Sequence, residues 1–306
     1  MTAVLGLGLA AVGRPAYINL GHGDDLDGLE TVADFRARAH TLLDEAWALG
    51  IRHIDAARSY GLAELFLGEW LRRHPERRAE LTIGSKWGYR YVGRWRRDAE
   101  VHEIKRHTLR AFERQRPESW QLLGGAPDLY LIHSVTPESP ALGDRVLAAA
   151  LTTLADTGVR IGISTSGPRQ AETIRQALAS DVPFSAVQSS WNVLEPSAGP
   201  ALAEAHAAGW HVTLKEGVAN GRLTARAGSR LDEFASAAGV HVDALALAAA
   251  AATPFADVVL SGASTVEHLR SNAEATELAS EIVAALPDLA EDPDAYWGTR
   301  SSLAWQ

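Results

Sequence analysis

The chain has 306 residues, 46% of them apolar and 22% charged, the balance of a protein with a large buried core and not of a disordered or fibrous chain. Its net charge of −9, from 29 basic and 38 acidic residues, argues against a protein built to neutralise a phosphate backbone or an anionic membrane, so neither nucleic acid nor membrane is an expected partner. With no cysteine there is no disulfide framework, thiolate metal site or cysteine nucleophile, and any redox chemistry must use a borrowed cofactor.

The first eleven residues are apolar but have no basic residue ahead of them, and they read as a strand, not a signal core. From there short β-rich apolar runs alternate with longer helical patterns almost to the end. Strands are predicted at residues 4–9, 51–56, 81–85, 129–132, 159–163, 184–188, 210–214 and 258–260. Helices are predicted at 32–49, 63–73, 100–116, 142–157, 168–179, 200–208, 243–252 and 266–275, with an extra helix at 230–238. Gly50, Gly158 and Gly209 each close a helix just before a strand, where a left-handed residue is wanted, and Pro168 stands where a first helical turn begins. No apolar stretch reaches the ~18 residues of a spanning helix, and a cytoplasmic protein is expected. Eight β-then-α units without a long linker point to one α/β domain over residues 1–306, a (β/α)8 TIM barrel with an extra helix and a C-terminal tail at 288–306. A doubly wound sheet is the structural alternative.

Barrels of this kind carry their working residues at the C-terminal ends of the strands. The second strand places His53 and Asp55 on one face, with Tyr60 in the loop that follows. The third ends at Lys86 and the fourth at His133. Lysine occurs only at Lys86, Lys105 and Lys215, so two of the three lie at strand ends. A compact ammonium, unlike a guanidinium, has a pKa that burial and neighbours can move. A carboxylate, a phenol, an ammonium and an imidazole at one mouth make a proton-delivery device. In it Asp55 holds Lys86, Lys86 makes the Tyr60 phenol acidic, and His133 orients a carbonyl oxygen. The implied reaction is carbonyl reduction, with a hydride arriving from a nicotinamide.

These segments resemble the aldo-keto reductases, and the resemblance runs from Leu5-Gly6-Leu7-Gly8 to Asn272. Ile54-Asp55-Ala56-Ala57 with Ser59-Tyr60-Gly61, Ser85-Lys86, and Asp128-Leu129-Tyr130-Leu131-Ile132-His133-Ser134 are similar to the family's catalytic segments, which implies the tetrad Asp55, Tyr60, Lys86 and His133. The resemblance further implies that Ser164, Thr165 and Gln188 hold the nicotinamide carboxamide. It gives Gly262, Ser264, Thr265, His268 and Asn272 to the adenosine phosphate and adenine. Two departures stand out. Leu214 replaces the aromatic on which the nicotinamide usually stacks, with Lys215 placed to meet the pyrophosphate, and the last loop lacks the usual cation against a 2′-phosphate, Arg270 being nearby. The family implies NADP(H) over NAD(H), no flavin and no metal, with a small carbonyl or alcohol as substrate.

The loop at residues 87–97 interleaves aromatics with arginines and reads as a pocket wall, favouring a bulky, planar or anionic substrate. Trp87, Tyr89, Trp95 and Trp191 are its candidate aromatics, and the plainer reading has Trp95 and the arginines covering the helix layer. The acidic, glycine-rich loop at 21–28 lacks the ligand spacing of a calcium loop and reads as a loop near the mouth. The tail, with Trp297 and Trp305, reads as a lid or a strap. Lys86 and Lys215 also suit a Schiff-base aldolase, which would have no use for Ser164 and Gln188. A retaining glycosidase would want a second carboxylate where His133 stands. A nucleotide-binding regulatory subunit with little turnover is the third alternative.

Overall fold

Each predicted strand forms, and the helices between them wrap the strands into a cylinder. The structure is a computed structural model, in which residues 3–26, 28–276, 278 and 280–306 are described. Met1 and Thr2 of the expected first strand, and Asp27 of the acidic loop, lie outside the described residues. In chain order the elements are β1 (Val4–Gly8), α1 (His22–Asp25), α2 (Val32–Ala48), β2 (His53–Asp55), α3 (Ala63–Arg73), β3 (Thr82–Trp87), β4 (Tyr89–Tyr91), β5 (Glu103–Lys105), α4 (Leu109–Leu123), β6 (Leu129–Val135), α5 (Arg145–Ala155), β7 (Arg160–Thr165), α6 (Gln170–Leu178), β8 (Ala186–Ser190), α7 (Gly199–Ala207), β9 (His211–Lys215), α8 (Arg230–Ala238), α9 (Val242–Ala251), β10 (Val258–Ser261), α10 (Val266–Ala273), α11 (Ser280–Ala284) and α12 (Pro293–Ser302). The eight parallel strands close in the order β1-β10-β9-β8-β7-β6-β3-β2, a (β/α)8 barrel. Among the described residues no single helix is long and apolar enough to cross a membrane; α8 and α9 reach the length only as a pair bent by 97°.

Alternation sorts the strand residues. Ile54, Ile83, Tyr130, Ile132, Ile161, Ile163, Val187, Val212 and Leu214 face outward into the main core between strands and helices. The barrel floor is filled by Leu129, Leu131 and Ala186 and by His53, whose ring stacks on His211 at 5.8 Å. Gly162 is required there, because a Cβ at that position would come within 1.9 Å of Ala186 O. Gly50, Gly158 and Gly209 have φ of 78°, 91° and 84°, the left-handed helix ends read from the sequence.

The fourth helix departs from expectation. Residues 103–105 form β5, which pairs antiparallel with β4, Tyr91 opposite Glu103 and Tyr89 opposite Lys105. The helix begins only after Thr108, whose side chain accepts from Ala111 N, and it runs to Leu123 with Pro117 inside. A hairpin partner 14 residues upstream satisfies the backbone of 103–105 in a way no local pattern signals. This hairpin stands over the C-terminal end of β3 and puts Tyr89 and Glu103 at the barrel mouth.

Candidate active site

Three adjacent strands aim their inward residues at one point. Asp55 ends β2, Lys86 is the inward residue near the end of β3, and His133 is the inward residue near the end of β6. Lys86 is fully buried and donates to Asp55 Oδ2 at 2.5 Å and to Ala56 O at 2.9 Å. The other Asp55 oxygen accepts from Gln188 Nε2 at 2.9 Å. Gly84 leaves room for that carboxylate, since a Cβ there would stand 3.2 Å from Asp55 Oδ1. The Tyr60 hydroxyl is 3.4 Å from His133 Nε2, and the Lys86 ammonium is 4.8 Å from the Tyr60 ring centroid. Ser59 Oγ lies 3.3 Å from His133 Nδ1. The 3.4 Å spacing is long for a hydrogen bond and of the length that tightens when a reacting oxygen enters.

Burial sets the charge states. His133 is held well below the ordinary imidazole pKa by burial and by the surrounding Lys86, Lys215 and Arg14, so the ring is neutral. Tyr60 is pushed well above the ordinary phenol value, first by burial and then by Asp55 and Glu103, with Arg14 acting in the opposite direction. This differs from the expectation that Lys86 makes the phenol acidic: its ammonium is spent on Asp55, and the guanidinium of Arg14 stands 5.5 Å from the ring centroid. Arg14 is 2% exposed, donates to Glu103 Oε1 at 2.7 Å and to Ser59 O at 3.1 Å, and also lies over Trp305 at 4.8 Å. Two glycines bring its loop against the Tyr60 loop. A Cβ on Gly13 would meet Tyr60 O at 2.2 Å, one on Gly61 would meet Gly13 O at 2.3 Å, and Gly61 has φ 60°. No local periodicity marks Arg14, and the glycine pair is the only trace it leaves in the sequence.

His107 was also passed over in the sequence. Its Nε2 lies 2.7 Å from His133 O and its Nδ1 2.6 Å from Ser139 Oγ, so it pins the backbone that carries the His133 imidazole. That backbone is irregular: the β6–β7 register shifts after Ile132, and Ser134 has φ 52°.

Asp55, Tyr60 and His133 line a cavity of about 240 Å³, with Lys86 fully buried behind them. Its wall holds Tyr17, Asn19, Tyr89, Glu103, Glu216, Arg300 and Trp305. Of the four aromatics expected there, Tyr89 alone lines it. Trp87 packs outward on Phe112 at 5.1 Å, Trp95 on Phe35 at 5.2 Å in the helix layer, and Trp191 on Phe255 at 6.4 Å. The loop arginines turn away as well, Arg97 to Leu29 O and Arg96 to Asp98. The cations of the wall come from elsewhere. Glu216 pairs with Arg300 of α12 and shares Ser190 with Lys215, whose Nζ donates to Ser190 Oγ at 2.7 Å. Burial alone would raise Glu216, but Arg300 and Lys215 outweigh it and hold the carboxyl at about 2. Burial lowers Lys215 to about 8. The tail is thus a strap: backbone bonds join Gln306 to Tyr17 in both directions, and Trp305 stacks on His102 at 4.3 Å.

The residues that the resemblance gives to a dinucleotide divide into two groups. Gln188, Lys215 and Gly262 line the cavity, and Gln188 Oε1 is a buried acceptor with no partner among the described residues, the atom an entering carboxamide would satisfy. A Cβ on Gly262 would meet nothing within 4 Å, so the wall is open at that point. These features fit a nicotinamide nucleotide. Ser164 is buried beneath the mouth and accepts from Ser134 N at 2.7 Å, while Ser166, overlooked in the sequence, lines the cavity. Thr165 faces outward to Ser189 and Gln170, and Leu214 is in the outer core. Thr165 therefore cannot reach the cavity from its position on β7. Thr265 caps α10, Asn272 bonds Ser261 and Asp243, and Ser264 and His268 face Asp25. Arg270 points away, to Glu45 at 2.7 Å.

An eight-stranded barrel with a carboxylate, phenol, ammonium and imidazole converging at its C-terminal mouth defines a class of carbonyl-acting enzymes. The family model of the aldo/keto reductases matches residues 26–291, and the chain belongs to that family, whose members are oxidoreductases that use nicotinamide cofactors. Among solved structures it is similar to the aldo-keto reductase AKR11C1 of Bacillus halodurans, at 20% identity over 95% of this chain and 93% of that one, with a TM-score of 0.70. An aldo-keto reductase assigned in Pseudomonas aeruginosa is 20% identical over 90% of this chain and 91% of that one, with a TM-score of 0.65. A protein assigned as a 2,5-diketo-D-gluconic acid reductase B is 25% identical over 95% and 92%, with a TM-score of 0.64. No curated protein matches the chain.

Proposed function

We propose that the protein reduces an aldehyde or ketone to an alcohol, reversibly, with NADPH or NADH as hydride donor, Tyr60 as proton donor, and neither metal nor flavin. The observation that carries the reading is the Tyr60 hydroxyl 3.4 Å from a neutral, buried His133 at the cavity wall, with the Lys86–Asp55 pair behind it. When bound, the dihydronicotinamide supplies the hydride. Gln188 and Ser166, both on the cavity wall, would hold its carboxamide, and Lys215 and the open backbone at Gly262 would meet the phosphates. His133 orients the substrate oxygen, and Tyr60 passes its proton to that oxygen as carbon takes the hydride. The phenolate left behind faces the guanidinium of Arg14, which disperses its charge until solvent returns the proton. The high pKa of the free phenol keeps the donor loaded at neutral pH.

The test is Tyr60→Phe on an aldehyde and ketone panel, with dinucleotide binding followed by fluorescence. The expected result is binding within a few-fold of wild type and kcat lower by at least about two orders of magnitude, the scale of a lost general acid. Retained turnover would overturn the assignment. A second reading has one observation in its favour: Lys215, lowered to about 8, is a buried amine on the cavity wall, as a Schiff-base enzyme requires. Borohydride trapping with a carbonyl substrate separates the two, because only the second reading leaves a stable lysine adduct.

A further inference from the structure

A second ion pair stands in the cavity wall beside the phenol, and the chemistry above uses only its cation. Arg14 and Glu103 both line the cavity, and Arg14 Nη1 donates to Glu103 Oε1 at 2.7 Å. Glu103 is the one carboxylate bonded to Arg14 among the described residues, and the two side chains are 2% and 17% exposed. Three rings surround the guanidinium, with centroids 5.5 Å away at Tyr60, 5.6 Å at Tyr17 and 4.8 Å at Trp305. Trp305 stacks on His102, the residue before Glu103, and Gln306 is tied to the backbone of Tyr17, so the tail and the β4–β5 hairpin together enclose the pair. The other charges around Tyr60 are engaged elsewhere. Asp55 is bonded to Lys86 and Gln188, Glu216 to Arg300 and Ser190, and Lys215 to Ser190, while His133 is neutral. The neighbouring phenols of Tyr17 and Tyr89 are protonated, raised first by burial.

We propose that Glu103 is a positioning residue for the proton donor: by pairing with Arg14 it restrains the guanidinium from drawing the proton off Tyr60, so the phenol keeps that proton until a carbonyl oxygen is in place. The inference rests on the reading of Tyr60 as proton donor given above. A cation within about 6 Å of an acid lowers its pKa by roughly 1–3 units, and a buried site screens it little. Arg14 acts on Tyr60 in that direction, yet burial, Asp55 and Glu103 outweigh it. The physical reason is the contact: a guanidinium and a carboxylate 2.7 Å apart act on a third group as a dipole, not as a net charge. Glu103 therefore leaves Arg14 near enough to disperse the phenolate once it forms, without ionising the free phenol.

The test is the rate of Tyr60 nitration by tetranitromethane at about pH 8, read by peptide mass spectrometry without dinucleotide. It compares wild type, Glu103→Gln and the double variant Arg14→Met with Glu103→Gln. Glutamine can still accept from Arg14 and removes only the charge, and the double variant leaves no charge of the pair unmatched. Because the phenolate is the form that reacts, Tyr60 should be nitrated about tenfold faster in Glu103→Gln, the effect of about one pKa unit. In the double variant it should return to the wild-type rate or below. Tyr130 and Tyr296, buried among other charges, should keep their wild-type rates. Oxidative kcat/KM on an alcohol panel at the same pH should follow the same order, rising several-fold and then falling back. An unchanged Tyr60 rate in Glu103→Gln, a rise that survives in the double variant, or a rise shared by Tyr130 and Tyr296 would overturn the role of Glu103. Absence of turnover in all three proteins, with the nitration pattern as expected, would overturn the reductase reading and leave the restraint on the phenol standing.

Discussion

Replacing Asp55 by asparagine removes the charge that partners a fully buried ammonium while keeping the shape of the side chain. In the native site Lys86 is 0% exposed and donates to Asp55 Oδ2 and Ala56 O. In Asp55→Asn the ammonium is left without its counterion, at about 3–5 kcal/mol for breaking a buried pair, while Gln188 Nε2 loses little because the asparagine oxygen still accepts. Urea unfolding of wild type and variant at pH 7 measures it. Adding Lys86→Met to the variant should recover most of the loss, because the unpaired charge is gone. A penalty under about 1 kcal/mol would refute the claim that Asp55 exists to hold Lys86 charged.

On the proposed mechanism alcohol oxidation needs the Tyr60 phenolate, and burial with Asp55 and Glu103 raises that pKa well above 10. The oxidative kcat/KM should therefore climb by about tenfold per pH unit from pH 7 to 10 while the reductive one stays nearly flat; a plateau in the oxidative profile near pH 8 would point to a different base. His53 is neutral in the fold, its pKa lowered to about 3 by burial, His211 and Lys86. Between that value and 6.5 the unfolded chain binds a proton that the folded one does not, so stability is lost as pH falls through this window. At pH 4.5 the His53 share is about 2.7 kcal/mol, with the same sign from His22 and His107, both lowered to about 4 chiefly by burial. His53→Asn should reduce the acid-induced drop in urea midpoint by that share, and an undiminished drop would contradict it.

Much of this protein is written in short stretches. Alternation over a few residues specifies which side chains of β2, β3 and β6 turn inward, and Gly50, Gly158 and Gly209 end helices through their own backbone freedom. Because the barrel connects these local units in order, the chain by itself places Asp55, Lys86 and His133 around one mouth, with Tyr60 a few residues beyond. The rest depended on partners far apart in the chain. Glu103 became a wall residue only because β5 found β4, and Arg300 entered the cavity from a helix 84 positions after Glu216. Arg14 reached Tyr60 through the close contact of two glycine-bearing loops, and Asp25 met Ser264 across 239 positions. Which cation faces the phenol, and which carboxylate Ser264 meets, depend on chain closure, because such encounters leave no period in the residues that make them.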